Sequence, residues 1–118
     1  YLTTYPDHFH VQTMDYYAKA MALFPGANFI ISSDDIKYCR ENFVGPQFTF
    51  SEGGVIDDLW LMANSSLGNI LANSSLSWWG SWLNKNPNKK VVAPRLWFNW
   101  KLSYHDTKNL YCPKWEII

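Results

Sequence analysis

Cysteine and histidine are scarce in this 118-residue chain. It has two cysteines, Cys39 and Cys112, which lie far apart and form no CxxC pair. This spacing argues against a disulfide framework and against a zinc site built on cysteine pairs, and it predicts two reduced thiols. His8, His10 and His105 show no metal-ligand spacing, so we expect no metal site.

An excess of charge of one sign is also lacking. Ten basic and ten acidic residues give a formal net charge of zero and are mixed along the chain. Balanced charge argues against a nucleic-acid-binding surface, so we expect no nucleic-acid partner. No apolar run reaches the length of about 18 residues that marks a membrane span, and the opening YLTTYPDHFH has no signal-peptide pattern. Because the sequence does not begin with Met, we expect a piece of a longer protein.

What is present is an alternation of helical and strand patterns. The chain is 47% hydrophobic and 18% aromatic, which predicts one folded domain over residues 1–118. Apolar residues recur with the helical period at 13–24, 34–43, 55–65 and 74–85, and short β-rich segments follow at 28–33, 47–52, 68–72 and 91–94. The tail could add a final strand. This order predicts an α/β fold in which helices on both faces cover a mostly parallel sheet.

A segment without formal charge extends from Leu59 to Asn84. It predicts a buried helix–strand–helix unit, with Asn84 ending the second helix in solvent. The tryptophans of that helix are expected to be core residues that hold its start in place: Trp78, Trp79 and Trp82. Small residues on the helix would let a neighbouring element approach closely: Ser77, Gly80 and Ser81.

Ligands of parallel α/β sheets bind where strands end and helices begin. One such junction is Asn73-Ser74-Ser75. These residues suit a helix cap, which stabilises a helix by about 1 kcal/mol. They equally suit anion binding, because exposed backbone N–H groups and hydroxyls at a helix start can hold a phosphate. The GxxxxGK[ST] pattern is absent, so this is not a Walker loop.

Paired acids mark two further junctions. Asp34-Asp35 follows a predicted strand, and Asp57-Asp58 comes directly before Leu59 at the start of a predicted helix. Each pair could cap the helix that follows, bind a ribose or a base, or ligate a metal. The residue types alone leave these alternatives open.

Three motifs carry a family resemblance. They are ISSDDIKYC (Ile31–Cys39), DLWLM (Asp58–Met62) and LANSSLSWWGSWLN (Leu71–Asn84). Together they resemble the α-1,2-fucosyltransferase family (glycosyltransferase family 11), whose members carry SDDI-x-W-C and NSSFSWWGAWL. DYYAKAM and VVAPRLWF fit the family's order and spacing, so the resemblance covers nearly the whole chain. Tyr38 replaces the family's usual Trp, and Leu76 its usual Phe.

The resemblance implies the Rossmann-like, nucleotide-binding C-terminal half of a GT-B glycosyltransferase, with residues 1–118 as a GDP-sugar-binding domain. Such enzymes transfer L-fucose from GDP-fucose to the 2-hydroxyl of a β-galactoside, with inversion and without an obligatory metal or other cofactor. The expected partners are therefore GDP-fucose and a galactose-terminated glycan. Another GDP-sugar transferase of the same fold, or a degenerate nucleotide- or glycan-binding module without catalysis, are the alternatives.

The resemblance also implies a donor-binding set. Asp58 would accept hydrogen bonds from guanine N1 and N2, and Asn73, Ser74 and Ser75 would form the diphosphate-facing helix start. Two further acids, Asp34 and Asp35, would shape the pocket. No residue of the chain stands out as a general base.

The family's first motif, His-x-Arg-Arg-x-Asp, is expected upstream of Tyr1. It supplies an arginine that neutralises the departing GDP, and such an electrostatic clamp is commonly worth several kcal/mol. We therefore expect this piece alone to be inactive and the catalytic residues to lie upstream. A cytoplasmic enzyme of bacterial type is expected, with a Golgi membrane protein as the eukaryotic alternative. Peripheral or N-terminal membrane anchoring of the parent protein stays open.

Overall fold

The computed structural model of the chain describes residues 12–33, 35–95, 97 and 110–118. Asp34, a predicted site residue, lies outside the described residues, as do His8, His10 and His105. The two cysteines are described, and no disulfide joins them. The prediction of two reduced thiols stays a prediction.

Helices and strands alternate along the described chain, as the sequence predicts. The elements are α1 (Met14–Ala22), β1 (Phe29–Ile31), α2 (Ile36–Asn42), β2 (Phe48–Phe50), α3 (Val55–Ala63), β3 (Gly68–Ile70), α4 (Ser75–Leu83), β4 (Lys90–Ala93) and β5 (Glu116–Ile117). Polar side chains cap three of the helices: Thr13 accepts a hydrogen bond from the Tyr16 N–H at the start of α1, and Asp35 and Ser74 act in the same way on α2 and α4.

The described strands form two parallel sheets rather than one continuous sheet. β1 pairs with β2, and a second sheet has the order β3-β4-β5. Every pairing is parallel, with Ile30 opposite Thr49 in the first sheet and Asn69 opposite Val91 in the second. The predicted α/β class with parallel strands is confirmed. A single sheet is not formed because no described strand lies between β1 and β3.

The best-packed core lies on the three-stranded sheet. Leu71, Val91 and Ala93 are between 0% and 2% exposed and form one cluster. The Tyr16 hydroxyl ties α1 to this sheet by donating a hydrogen bond to the Leu71 carbonyl at 2.6 Å. Burial of the Tyr16 phenol raises its pKa, because the charged form would lose its water.

The tryptophans of α4 do not all belong to the core. Trp78 packs against the Leu71 cluster, and its Nε1 donates to the Leu110 carbonyl at 2.6 Å. Trp79 and Trp82 are 51% and 43% exposed, so the prediction that they are core residues is wrong.

The small residues of α4 form the buried face, as predicted. Ser77, Gly80 and Ser81 are buried, and α4 packs against α3. A methyl group at Gly80 would lie 2.6 Å from the Met62 Cβ, so only glycine permits this approach. The other face of α3 is uncovered in the described structure, where Trp60 is 64% exposed. The predicted burial of the whole uncharged segment is therefore wrong for that face.

Asn84 does not end α4 in solvent, contrary to the sequence-based prediction. It is 2% exposed and its Nδ2 donates to the Ser65 carbonyl at 2.8 Å and to Asn69 Oδ1 at 3.1 Å. Its Oδ1 accepts from the Asn86 N–H. The amide is buried because it satisfies main-chain groups where α3, β3 and α4 meet.

Candidate functional site

The junction between β3 and α4 is built around a serine cap. The Ser77 N–H donates to Ser74 Oγ at 3.1 Å, and the two hydroxyl oxygens lie 2.9 Å apart. The Ser77 hydroxyl donates onward to the Ala72 carbonyl at 2.8 Å. The Ser74 hydroxyl is thus held in a chain of hydrogen bonds that fixes the start of α4. The capping interpretation is confirmed for Ser74, and anion binding by its hydroxyl stays a prediction.

The neighbours of Ser74 have different roles. Asn73 is half-buried, and its Nδ2 donates to the Trp97 carbonyl at 2.9 Å, which anchors the turn before the helix. Ser75 is exposed and is the first residue of α4. Among the described residues its hydroxyl has no hydrogen-bond partner. The N–H groups of Ser75 and Leu76 belong to the first turn, where an α-helix leaves its amides unpaired. These groups are available to an anion.

A second polar group lies where β2 ends and α3 begins. The Ser51 hydroxyl, directly after β2, donates to Asp58 Oδ1 at 2.6 Å. Asp58 is half-buried, and this bond leaves its second carboxylate oxygen available to another donor. The neighbouring Asp57 accepts from the Gly54 N–H at 3.1 Å, so it caps α3. The two acids therefore have different roles: Asp57 caps α3, and Asp58 accepts a hydrogen bond from the serine that follows β2.

The third junction follows β1. Asp35 Oδ1 accepts from the Tyr38 N–H at 3.1 Å and so caps α2, and the Asp35 N–H donates to Ser33 Oγ at 3.0 Å. The capping alternative is confirmed for Asp35. A donor-binding role for this exposed carboxylate stays a prediction.

A cavity of about 400 Å³ lies between the two sheets. Ser32, which follows β1, lines it from one side, and Ser74, which precedes α4, lines it from the other. Two of the predicted junctions therefore reach the same cavity. The remaining described members of the predicted site do not line it: Asp35, Asp58, Asn73 and Ser75.

Within residues 12–33, 35–95, 97 and 110–118, no group of three or more His, Cys, Asp or Glu side chains is placed to hold a metal ion. No helix among these residues has the length and apolarity needed to cross a bilayer.

Sequence reasoning missed Ser51. Ser51 directly follows β2. Because ligands of parallel sheets bind at the carboxyl ends of strands, its position in the sequence was a usable signal. Asn84 was missed for another reason, because nothing in its sequence context distinguishes a buried amide from an exposed one.

The junctions at the start of α4 and at the end of β2 offer different chemistry. The start of α4 offers main-chain donors, the positive end of the helix dipole and an exposed hydroxyl, which together stabilise negative charge. The Asp58 carboxylate offers an acceptor held in place by Ser51. Among the described residues, the start of α4 thus offers hydrogen-bond donors, and Asp58 offers a hydrogen-bond acceptor.

The family model for glycosyl transferase family 11 matches residues 1–118. An O-antigen biosynthesis glycosyltransferase of Escherichia coli, WbnK, is 38% identical over 100 residues, which is 76% of this chain and 33% of that protein. An α-1,2-colitosyltransferase of Escherichia coli is 40% identical over 76 residues, or 59% of this chain and 26% of that protein. No solved structure matches the chain significantly.

The chain spans about a third of the first relative and about a quarter of the second. The family match, by contrast, extends over every residue. The chain therefore belongs to glycosyltransferase family 11.

Proposed function

We propose that the protein is an α-1,2-fucosyltransferase and that residues 1–118 are its Rossmann-like donor-binding domain, within the C-terminal half of a GT-B enzyme. The reaction is the transfer of L-fucose from GDP-fucose to the 2-hydroxyl of a β-galactoside, with inversion. The observation that carries the proposal is the start of α4, where Ser74 fixes a helix end that presents Ser75 to an anion. The family match supplies the reaction class.

The diphosphate is assigned to the start of α4. Ser74 Oγ already accepts from the Ser77 N–H, so its contribution is to fix the helix end. Ser75 is exposed and contributes its hydroxyl and main-chain N–H to the β-phosphate. Asn73 holds the preceding turn through its bond to the Trp97 carbonyl. Of the three, Ser75 therefore makes the direct contact.

The guanine is assigned to Asp58. A carboxylate can accept from N1–H and from the exocyclic amine of guanine at the same time, and this pairing selects guanine over bases without those donors. The Ser51 hydroxyl orients the Asp58 carboxylate by donating to Oδ1 at 2.6 Å. The family resemblance gives Asp34 and Asp35 a role in shaping the pocket rather than in contacting the donor.

The chemical step is one displacement at the anomeric carbon of fucose. The galactose 2-hydroxyl forms the new C–O bond and loses its proton, while the bond to GDP breaks and the diphosphate takes up the electron pair. The start of α4 stabilises part of this charge, and the arginine expected upstream of Tyr1 stabilises the rest.

Calorimetry with GDP on the full-length protein tests the site. Ser75→Ala and Asp58→Ala should each weaken GDP binding about 10- to 100-fold, as expected for the loss of hydrogen bonds to charged groups. Asp57→Ala is the matched control, since Asp57 caps α3 and should leave GDP affinity within about twofold. Unchanged affinity in both test variants would overturn the site assignment. No GDP binding at all by the intact protein would favour a degenerate module.

A second candidate donor is favoured by one specific observation. The relative that is 40% identical is named as an α-1,2-colitosyltransferase, so the family includes an enzyme that transfers a sugar other than fucose in the same linkage. The protein could therefore form the same α-1,2 linkage with a transferred sugar other than fucose. Competition among GDP-fucose, GDP-colitose, GDP-mannose and UDP-galactose for the full-length enzyme decides this, because the true donor should give the highest kcat/KM.

A further inference from the structure

One side of α4 carries a connected group of exposed side chains. Trp79 and Trp82 are 51% and 43% exposed, and their ring centroids lie 5.7 Å apart. Leu83, one turn after Trp79, is 37% exposed. The Lys85 ammonium lies 4.5 Å from the centroid of the Trp82 ring. Together, these four residues form what we term the α4 outer face.

The opposite side of α4 is packed. Ser77, Gly80 and Ser81 are buried there, whereas Trp79 and Trp82 point to the other side of the helix. A single exposed apolar residue is ordinary on a protein surface, but adjoining large ones with a polar rim mark a surface that binds a partner or a membrane. The α4 outer face is such a surface.

The acidic and basic residues balance overall, but a count by segment shows that they are segregated, which corrects the expectation that they are mixed along the chain. Residues 1–58 contain eight acidic and three basic residues, a formal charge of −5. Residues 59–105 contain no acidic residue and five basic ones, a formal charge of +5: Lys85, Lys89, Lys90, Arg95 and Lys101. Such asymmetry is typical of a chain that binds an anionic surface.

The cationic segment begins beside the exposed tryptophans. Lys85 is exposed, and Lys89 Nζ donates to the Ser81 carbonyl at 2.8 Å, so two ammonium groups lie at the C-terminal end of α4. Within the part of the chain that the structure describes, the one ion pair joins Arg40 to Glu52. No described carboxylate therefore neutralises these two lysines. Positive charge and exposed apolar surface coincide at this end of the helix.

The lysine distinguishes a membrane from a second protein as the occupant. The centres of protein–protein interfaces are rich in tryptophan but depleted in lysine. A bilayer surface suits both residues, because indole rings reside at the level of the headgroups and lysines attract anionic headgroups. Since Lys85 lies over the Trp82 ring, any occupant of the tryptophans must also accommodate its charge.

The ring geometry distinguishes a membrane from a nucleic acid. Single-stranded nucleic acids also combine positive charge with aromatic side chains, but their bases stack on open ring faces. The Trp82 ring already has the Lys85 ammonium over it and the Trp78 ring stacked against it, with 6.5 Å between the ring centroids and 8° between the planes. Trp79 meets Trp82 edge to face, at 81°. The rings therefore offer apolar bulk rather than open faces, which suits lipid.

We propose that the α4 outer face of the full-length protein docks on a lipid bilayer that contains anionic lipids. Trp79, Trp82 and Leu83 enter the headgroup region, while Lys85 and the basic residues that follow it attract the anionic headgroups. The helix lies on the bilayer, since its nine residues are too few to cross it. The inference does not depend on the sugar donor or on the proposed reaction.

Vesicle binding by the full-length protein tests the proposal. Phosphatidylcholine vesicles with about 30% phosphatidylglycerol should bind the protein at least about 10-fold more tightly than vesicles of phosphatidylcholine alone, because each basic residue near an anionic surface adds attraction. The preference should shrink as the salt concentration rises, because salt screens exposed charges. Failure to bind either kind of vesicle, or equal binding to both, would overturn the proposal.

A tryptophan substitution connects the binding to this face. Trp82→Ser should weaken binding to the anionic vesicles about 10-fold or more, because an inserted indole is lost. Trp60→Ser is the matched control: Trp60 is 64% exposed on α3, two residues from the Met62 that lies against Gly80 of α4, so it points away from α4. The control should bind within about twofold of the unmodified protein. Equal losses, or no loss in Trp82→Ser, would overturn the proposal.

A charge reversal tests the electrostatic part. Lys85→Glu should weaken binding to the anionic vesicles about 10- to 30-fold. Lys37→Glu makes the same change of net charge at an exposed position on α2, within the acidic segment, and should bind within about twofold of the unmodified protein. Equal effects of the two reversals would overturn the proposal, because net charge rather than the α4 outer face would then attract the protein. The vesicle comparison with the unmodified protein stands even where a variant does not fold.

Two further measurements on Trp82→Ser separate the other occupants. The proposal predicts an unchanged oligomeric state by light scattering and a Tm within about 3 °C of that of Trp60→Ser, because Trp82 is exposed in the absence of a membrane. A dimer that becomes monomeric in Trp82→Ser would show that a second copy covers this face. A much lower Tm would show that another part of the protein covers it. Either result would overturn the proposal.

Discussion

The two sheets of this domain differ in how well they are packed, and the difference does not follow the apolar character of their strands. In the three-stranded sheet, Val91, Val92 and Ala93 of β4 are between 0% and 2% exposed. In the two-stranded sheet, FII and FTF are also mostly apolar, yet no residue of either strand is buried. A strand sequence typical of a protein interior thus lies next to a cavity that no described residue fills.

The difference shows that an apolar strand is buried only when its neighbours are present. β4 has β3 on one side and β5 on the other, whereas β1 has a partner on one side only in the described structure. The three-stranded sheet should therefore dominate the stability contributed by this domain. The two-stranded sheet should depend on what fills the cavity.

The largest effect is expected in the core of the three-stranded sheet. Leu71 is fully buried, so Leu71→Ala should lower the free energy of unfolding by about 2–5 kcal/mol through lost contacts and an unfilled cavity. Val44→Ala, between α2 and β2, is the control: Val44 is 75% exposed, and its truncation should cost less than about 0.5 kcal/mol. Chemical denaturation of the full-length protein measures both. Equal losses of unfolding free energy in Leu71→Ala and Val44→Ala would contradict the claim that the three-stranded sheet dominates stability.

A somewhat smaller effect is expected at Asn84. Asn84→Ala removes the donor to the Ser65 carbonyl and to the buried Asn69 Oδ1 and should cost about 2–3 kcal/mol, because these groups lose a hydrogen-bond partner. Asn64 is a matched exposed asparagine whose Nδ2 donates to one carbonyl of its own helix. Asn64→Ala should change stability by less than about 1 kcal/mol. A neutral Asn84→Ala would show that the amide does not hold α3 and α4 to the three-stranded sheet.

The smallest effect concerns the link between α1 and the three-stranded sheet. Tyr16→Phe removes the hydrogen bond to the Leu71 carbonyl and should cost about 1 kcal/mol at neutral pH.

The same tyrosine should make stability depend on alkaline pH. Burial raises the pKa of Tyr16 and raises that of Tyr17 to about 12, whereas an unfolded tyrosine titrates near 10. Only the unfolded state then releases protons, so stability should be constant below about pH 10 and fall above it. Denaturation curves between pH 8 and about 11.5 should show a shallower decline for Tyr16→Phe than for the unmodified protein. Parallel declines would contradict the assigned burial of Tyr16.

The order of elements could be predicted from the sequence because periodicity and capping are local. The 3.6-residue and continuous apolar patterns locate the helices and strands, and the Pro25-Gly26 pair marks the end of the first helical segment. The division into two sheets could not be predicted, because the sequence of a short apolar strand does not show which other strands it pairs with. The exposure of Trp79 and Trp82 escaped prediction for a similar reason: an apolar helix does not reveal which face is covered.

The candidate site was predictable in position but not in detail. Strand-to-helix junctions can be read from sequence, and Asp35, Asp58 and Ser74 all lie at such junctions. Side-chain geometry decides which residue at each junction caps the helix and which one is left to bind a ligand. Asp57 and Ser74 are engaged as caps, whereas Asp58 binds Ser51 and Ser75 is exposed. The sequence contains no signal that separates these roles.

The central claim is that the junction after β2 in this chain holds the guanine of the sugar donor. Calorimetry of the full-length protein and of Asp58→Ala with GDP and with IDP, which lacks the exocyclic amine of guanine, tests it most directly. The account predicts that the unmodified protein binds GDP about 10-fold or more tightly than IDP and that Asp58→Ala loses this preference. A preference for GDP that is unchanged in Asp58→Ala would contradict the account.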